Sequence, residues 1–259
     1  MASEMRVERR AAALLLTLSE PATRNALSPA ACAAGRAAVE AAAADRSVRC
    51  IVLRGDGAHF SAGGDVRRLL AVREREPAEQ AQSMENFHGL VAALHASPLP
   101  SIAAVEGYAA GGGAALALAC DLIVAAEDAR FILSYGRTGL SPDGGSTWRL
   151  ARLLPRGLAL QMAWLPEPMS ARDWHARGLV HHITASGEAL DGALRLAERL
   201  AQTAPNAVAS AKALIDAAPA SSLKQQLDRE RDHFVANLFT RNGGEGLQAF
   251  LDKRPPRFE

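Results

Sequence analysis

Short buried strands and helices alternate closely along the first two thirds of this chain, and that rhythm restricts its fold more than any other feature. Residues 5–18 read as one or two strands. Ser28 and Pro29 open an alanine-rich helix over 29–44, with Ser28 as N-cap and Pro29 at the first helical position. Arg49 to Arg54 (RCIVLR) is a short buried strand, followed by the glycine-rich loop Gly55 to Asp65 and a short helix. A longer helix over 77–96 stops at Ser97-Pro98-Leu99-Pro100. Ser101 to Glu106 is the next strand, Gly107 to Gly113 a loop with three successive glycines, 113–119 a short buried helix, and Asp121 to Ala126 a strand. The alternation continues to about residue 185 and predicts an α/β core. Beyond it, helical spacing over 187–203, 205–216, 221–239 and 243–253 predicts a helical C-terminal region reaching over a neighbouring subunit. The expected division is a core over 1–190 and a helical part over 191–259.

Composition narrows the partners. Half of the residues are apolar (49%), enough for a sizeable core, and the net charge is only +1. A balanced chain gives no sign of a nucleic-acid partner, so any anionic ligand must be met by local Arg, Lys or backbone N–H groups. Cys32, Cys50 and Cys120 lie far apart, without metal-ligand spacing, and read as buried thiols in a reducing compartment, the cytoplasm. Arg6, Arg9 and Arg10 before the apolar run Ala11 to Leu18 mimic a signal peptide. The run is short, however, and Ser19-Glu20-Pro21 reads as a strand ending in a turn. No apolar run is long enough to span a membrane. The seven histidines show no ligand spacing, so no metal is expected, and Trp148, Trp164 and Trp174 read as core or interface residues.

Two glycine motifs carry the chemistry. In His59-Phe60-Ser61-Ala62-Gly63-Gly64-Asp65 the two glycines let the backbone approach a ligand. The alternative is a βα turn with Asp65 capping the next helix. In Gly107-Tyr108-Ala109-Ala110-Gly111-Gly112-Gly113 three glycines begin an apolar helix, whose free N–H groups and positive dipole end suit an anion. The alternative there is tight helix–strand packing. The spacing fits neither a dinucleotide fingerprint nor a P-loop. Two glycine-presented N–H groups from separate loops would form the oxyanion hole that enolate chemistry needs.

FSAGGD, AVEGYAAGGGAALALACDLIVA, FILSYGRTGLSPDGGSTWRL and the terminal FLDKRPPRF together resemble the crotonase (enoyl-CoA hydratase/isomerase) superfamily, from Arg24-Asn25-Ala26-Leu27 to Phe258. The resemblance implies a spiral of ββα units with a helical C-terminal region, assembled as trimers or as hexamers made of two trimers. It implies an acyl-CoA substrate whose thioester oxygen lies between the amides of Gly64 and Gly112, with coenzyme A as part of the substrate and no permanently bound cofactor. It also places Arg24, Ala26, Ser61, Ala62, Asp65, Arg67, Tyr135, Leu140 and Lys253 along the ester. Arg24, Arg67 and Lys253 are its candidates for the phosphates, each otherwise a solvated surface charge. The loop Ser61 to Gly64 would run beside the adenine, and residues 66–95 and 131–140 would form the walls of the acyl pocket.

The chain departs from the family's hydratases at both of their glutamate positions, which hold Ala115 and Tyr135. Hydration of an enoyl thioester needs one group to activate water and another to protonate carbon. Alanine can do neither, and a phenol with a pKa near 10 is a poor base. A carboxylate does occur at Asp143, in Gly139-Leu140-Ser141-Pro142-Asp143-Gly144-Gly145. Family isomerases, including 3-enoyl-CoA and ring-epoxide isomerases, carry an acid at the corresponding place. Pro-Asp-Gly is also a strong turn signature, and Asp143 could simply cap the following helix. The favoured expectation is an enoyl-CoA isomerase using Asp143, Gly64 and Gly112. The alternatives are a hydratase, a thioester hydrolase, or a non-catalytic acyl-CoA-binding homologue.

Overall fold

The computed structural model describes residues 3–259. Its main sheet has six strands. Glu4–Arg10 and Ala13–Ser19 form an antiparallel hairpin, so the stretch read as one or two strands is two. Cys50–Gly55, Ser101–Val105, Leu122–Ala126 and His182–Thr184 then follow in parallel order. Parallel strands are buried on both faces, and these alternate between two apolar cores. Leu14, Leu16, Leu18, Ile51, Leu53, Ala103 and Val105 enter one. Ala13, Leu15, Cys50, Val52, Ile102 and Ala104 enter the other.

After most sheet strands the chain makes a second, very short strand before its helix. Ala26–Leu27 follows the first parallel strand, Gly63–Gly64 the second, Tyr108–Ala110 the third and Arg130–Ile132 the fourth. The short strands pair with one another: Ala26–Leu27 with Gly63–Gly64, and Tyr108–Ala110 with Arg130–Ile132. A bridge between Ser61 and Ala109 links the two pairs. The result is the expected spiral of ββα turns. The segments expected as loops, 55–65 and 107–113, thus each contain a short strand. Two or three residues are too few to show a period, and only pairing across turns defines them.

The helices fall where the caps place them. The Pro29–Ala44 helix has Ser28 as N-cap, accepting from the Ala31 N–H at 3.1 Å. With Pro77–Ala96 and the wholly buried Gly112–Ala119 it closes the first core. The Ala189–Ala201 helix covers the opposite face. Ala189, Ala193 and Ala197, four residues apart, form a smooth buried stripe against the sheet. The Glu106 carboxylate accepts from the N–H groups of Gly187 (3.1 Å) and Ala189 (2.8 Å), an anion at the positive end of that helix. The division expected after residue 190 falls inside this helix.

Pro205–Ala217, Leu223–Leu238 and Arg241–Leu251 form the last layer, and among their residues Ala249 alone is buried. Phe234, Phe239 and Phe250 are more than two-thirds exposed (70%, 83% and 83%), so this layer leaves large apolar side chains uncovered on the single chain. Trp174 is core, stacked on Phe131 at 4.0 Å between centroids, whereas Trp148 and Trp164 lie on the surface.

Lys212 ties the outer layer to the core. Its Nζ donates to Asp121 Oδ2 at 2.9 Å, to the Leu94 carbonyl at 3.0 Å and to the Leu99 carbonyl at 3.4 Å. Asp121 Oδ2 in turn accepts from Ser101 N–H and Oγ. The ammonium and the carboxylate are largely shielded, at 12% and 22% exposure. Removing the lysine leaves the shielded carboxylate with only its two Ser101 donors and no opposite charge, and takes a donor from two carbonyls. Lys212→Met is therefore expected to cost about 2–4 kcal/mol, read from urea unfolding. An unchanged midpoint would show that the anchor contributes nothing.

Candidate active site

The site is built where successive turns of the spiral touch. Ser61 is the junction. Its N–H donates to the Tyr108 carbonyl (3.1 Å), and its carbonyl accepts from Ala110 N–H (2.9 Å). Its hydroxyl donates to the Asn25 carbonyl (2.7 Å) and accepts from Gly63 N–H (3.1 Å). The Ala62 N–H donates to the Arg24 carbonyl at 2.8 Å. Three loops, around residues 25, 62 and 110, are thus held by backbone groups. The contact is too close for side chains. A Cβ on Gly63 (φ +81) would lie 2.5 Å from the Ala110 oxygen and 2.7 Å from the Gly112 nitrogen. One on Gly113 would lie 2.3 Å from the Ser61 oxygen.

Gly112 is the first residue of its helix, and its N-cap, Gly111, has no side chain to offer. Its N–H points out of the helix end and, among the described residues, meets no acceptor. Gly64 stands exposed beside Leu27 of the neighbouring short strand. Both line one cavity of about 70 Å³, and so does Asp143. The three residues expected to carry the chemistry are therefore brought together from three separate turns.

Asp143 does not cap a helix. The Ser146–Leu153 helix has Gly145 as N-cap with no side-chain cap bond, and Ser146 bonds instead to the Asp143 carbonyl. Gly144 (φ +57) and Gly145 (φ +71) turn the chain sharply, leaving the carboxylate free for another partner. That partner is Tyr135, whose hydroxyl donates to Asp143 Oδ1 at 2.5 Å. Burial pushes the Tyr135 phenol well above its usual range, and the charge of Asp143 and the hydrogen bond to it push it further. Tyr135 is thus a fixed donor. Ala115 is close by: a Cβ on Gly144 would lie 3.0 Å from its methyl. Ala115 and Tyr135, the two positions where the resemblance implies glutamates in a hydratase, thus lie on either side of the cavity's one carboxylate.

The remaining expected residues are spread more widely. Asp65 is the cap of Val66–Val72, accepting from the N–H groups of Arg67 (2.9 Å) and Arg68 (3.3 Å), which is the alternative weighed from the sequence. Ser61 is fully buried with its hydroxyl engaged on both sides, so its side chain holds the loops together. Ala26 is buried in the short strand beside Gly63. Arg24, Arg67, Leu140 and Lys253 are exposed and Ala62 half-buried, none of them on the cavity wall. The wall draws on 66–95 as expected, and also on Leu27, Ser28, Pro29 and Cys32, but not on 131–140. Burial pushes the Cys32 thiol up to about 12, which leaves it inert.

Sequence reasoning missed Arg68 and the set Gln80, Ser83, Met84 and Phe87 as individual residues. The signal for the set was present. These positions follow i, i+3, i+4, i+7, one face of the Pro77–Ala96 helix. Arg67 and Arg68 are neighbours on a helix, where successive side chains point about 100° apart, so only one of them can face the cavity.

The state of Tyr135 has a measurable consequence. Folding raises its pKa, so the folded chain keeps a proton that the unfolded phenol releases near pH 10. The associated stability is complete below about pH 10 and falls as pH rises beyond it. Of the chain's two tyrosines, at most one should ionise, by ultraviolet titration, before the fold is lost. Two phenolates in a still-folded protein would contradict this placement.

Relatives match over the same span. Residues 8–259 match the enoyl-CoA hydratase/isomerase family. A protein of Escherichia coli named 2,3-dehydroadipyl-CoA hydratase is 38% identical, over 99% of this chain and 99% of its own. A second E. coli protein, named 1,2-epoxyphenylacetyl-CoA isomerase, is 34% identical over 95% of this chain and 94% of its own. The crystal structure of an enoyl-CoA hydratase from Polaromonas sp. superposes with a TM-score of 0.97 at 49% identity, covering 99% of this chain and all (100%) of that one. In sequence and in its spiral of ββα turns, the chain belongs to the enoyl-CoA hydratase/isomerase family of acyl-CoA enzymes.

Proposed function

We propose that this member is an isomerase, moving the double bond of a 3-enoyl-CoA into conjugation with its thioester. One observation carries the reading: the cavity that holds Gly64 and the free N–H of Gly112 is lined by a single carboxylate, Asp143. A 1,3-proton shift needs no second acid. Asp143 takes the proton from the carbon next to the thioester, breaking that C–H bond. The negative charge spreads onto the thioester oxygen, held by the amides of Gly64 and Gly112. Asp143 then returns the proton two carbons further on. Tyr135, donating to Oδ1, holds the Asp143 carboxyl group in place through both steps. The side chains of Leu27, Met84 and Phe87 give the cavity an apolar part, which strengthens the charge interactions beside it.

The ester's nucleotide end lies outside the cavity, where the exposed Arg24, Arg67 and Lys253 are the candidate phosphate partners. The uncovered apolar side chains of the last three helices support assembly into trimers or pairs of trimers, in the cytoplasm. Sedimentation at micromolar concentration is expected to give three or six copies. A monomer would sink the assembly.

Hydration is the competing reading, because the E. coli relative and the Polaromonas structure both carry hydratase names. One substitution separates the two. Asp143→Asn should lower isomerisation of a 3-enoyl-CoA by at least about a hundredfold, while binding of a saturated acyl-CoA stays within about threefold. Turnover is followed by the ultraviolet absorption of the conjugated product. Full activity in the variant, or steady hydration of crotonyl-CoA that ignores the substitution, would overturn the isomerase reading.

A further inference from the structure

Two polar atoms on the cavity wall have no partner. Arg68 Nε is buried and makes no hydrogen bond, and so is Gln80 Oε1. Both residues line the cavity that holds Gly64, Gly112 and Asp143. Arg68 spends one N–H, from Nη1, on Ser83 Oγ at 3.1 Å. This fixes the guanidinium plane and leaves its other edge, Nε with Nη2, without a protein acceptor among the described residues. No carboxylate of those residues forms an ion pair with it. A buried guanidinium N–H in that state, here the one on Nε, is unfavourable unless a ligand meets it. The two parallel N–H groups of that edge match the two oxygens of a carboxylate. Gln80 adds to the match, since its terminal amide, turned about its last bond, presents an N–H₂ donor on the same wall.

From this arrangement we infer that the acyl group carries a second carboxylate at its far end, bound by Arg68 with help from Gln80, so that the substrate is a short dicarboxylyl-CoA. The inference rests on the acyl-CoA reading above and adds to it the class of acyl chain. Chain length is limited by the space available. The cavity is small, about 70 Å³, which favours a short chain. Arg68 lies on the first turn of the helix that begins two residues after Gly64, on the wall of the same cavity. The guanidinium also supplies the positive charge that lets a second carboxylate share a cavity with Asp143.

The test uses saturated, unreactive esters of equal length and calorimetry on the purified chain. Adipyl-CoA should bind roughly tenfold or more tightly than hexanoyl-CoA, the range of a hydrogen-bonded charge pair. In Arg68→Gln and in Gln80→Leu that preference should shrink, most completely in the first. The wild-type comparison stands by itself if a variant fails to fold. Equal binding of the two esters by the wild type, or an undiminished preference in Arg68→Gln, overturns the carboxylate assignment and leaves the acyl-CoA reading intact. Failure to bind either ester overturns both.

Discussion

Everything at the active site depends on one close approach of backbone to backbone. The segment Ser61–Gly64 lies directly against Tyr108–Gly113, stitched by the two main-chain hydrogen bonds of Ser61 and by its hydroxyl. Gly63 and Gly113 make this approach possible because neither position has room for a Cβ. The glycines were legible as a way for backbone to reach a ligand. They serve first to let two turns of the spiral reach each other. Gly64 and Gly112 border the ligand space only because their neighbours are locked together.

The same economy governs the acid. Gly144 and Gly145 leave the Asp143 carboxylate free of helix capping, and Tyr135 takes up the place this opens. Tyr135, at a position where the resemblance implies a glutamate in a hydratase, here supplies a hydroxyl donor to a carboxylate from another loop.

Elements long enough to show a period were readable from the sequence. The 29–44 helix, its Ser28 cap and the 77–96 helix match the structure residue for residue. The RCIVLR strand is displaced by one residue, to Cys50–Gly55. The short strands at 26–27, 63–64 and 108–110 were not readable, because their hydrogen bonds come from residues far away in the chain. At the site, Gly64, Gly112 and Asp143 were named from motifs. The choice between capping and catalysis for Asp143 depended on where Gly144 and Gly145 turn. The choice between Arg67 and Arg68 depended on a helix phase of a single residue. Both are tertiary facts.

The order of pairing in the main sheet also bears on how the chain reaches this state. Ala13 pairs with Cys50, Ile51 with Ser101, Ile102 with Leu122 and Val124 with His182. After the opening hairpin every neighbour is drawn from a distant part of the chain, so loop-closure entropy must be overcome before any of these contacts is gained. Long-range pairing of this kind goes with slow folding, and the cavity, shared among three turns, cannot close before those turns have met. Until then the leucine- and isoleucine-rich strands are open to the wrong neighbours, which makes folding in the cell a race between winding the spiral and aggregation.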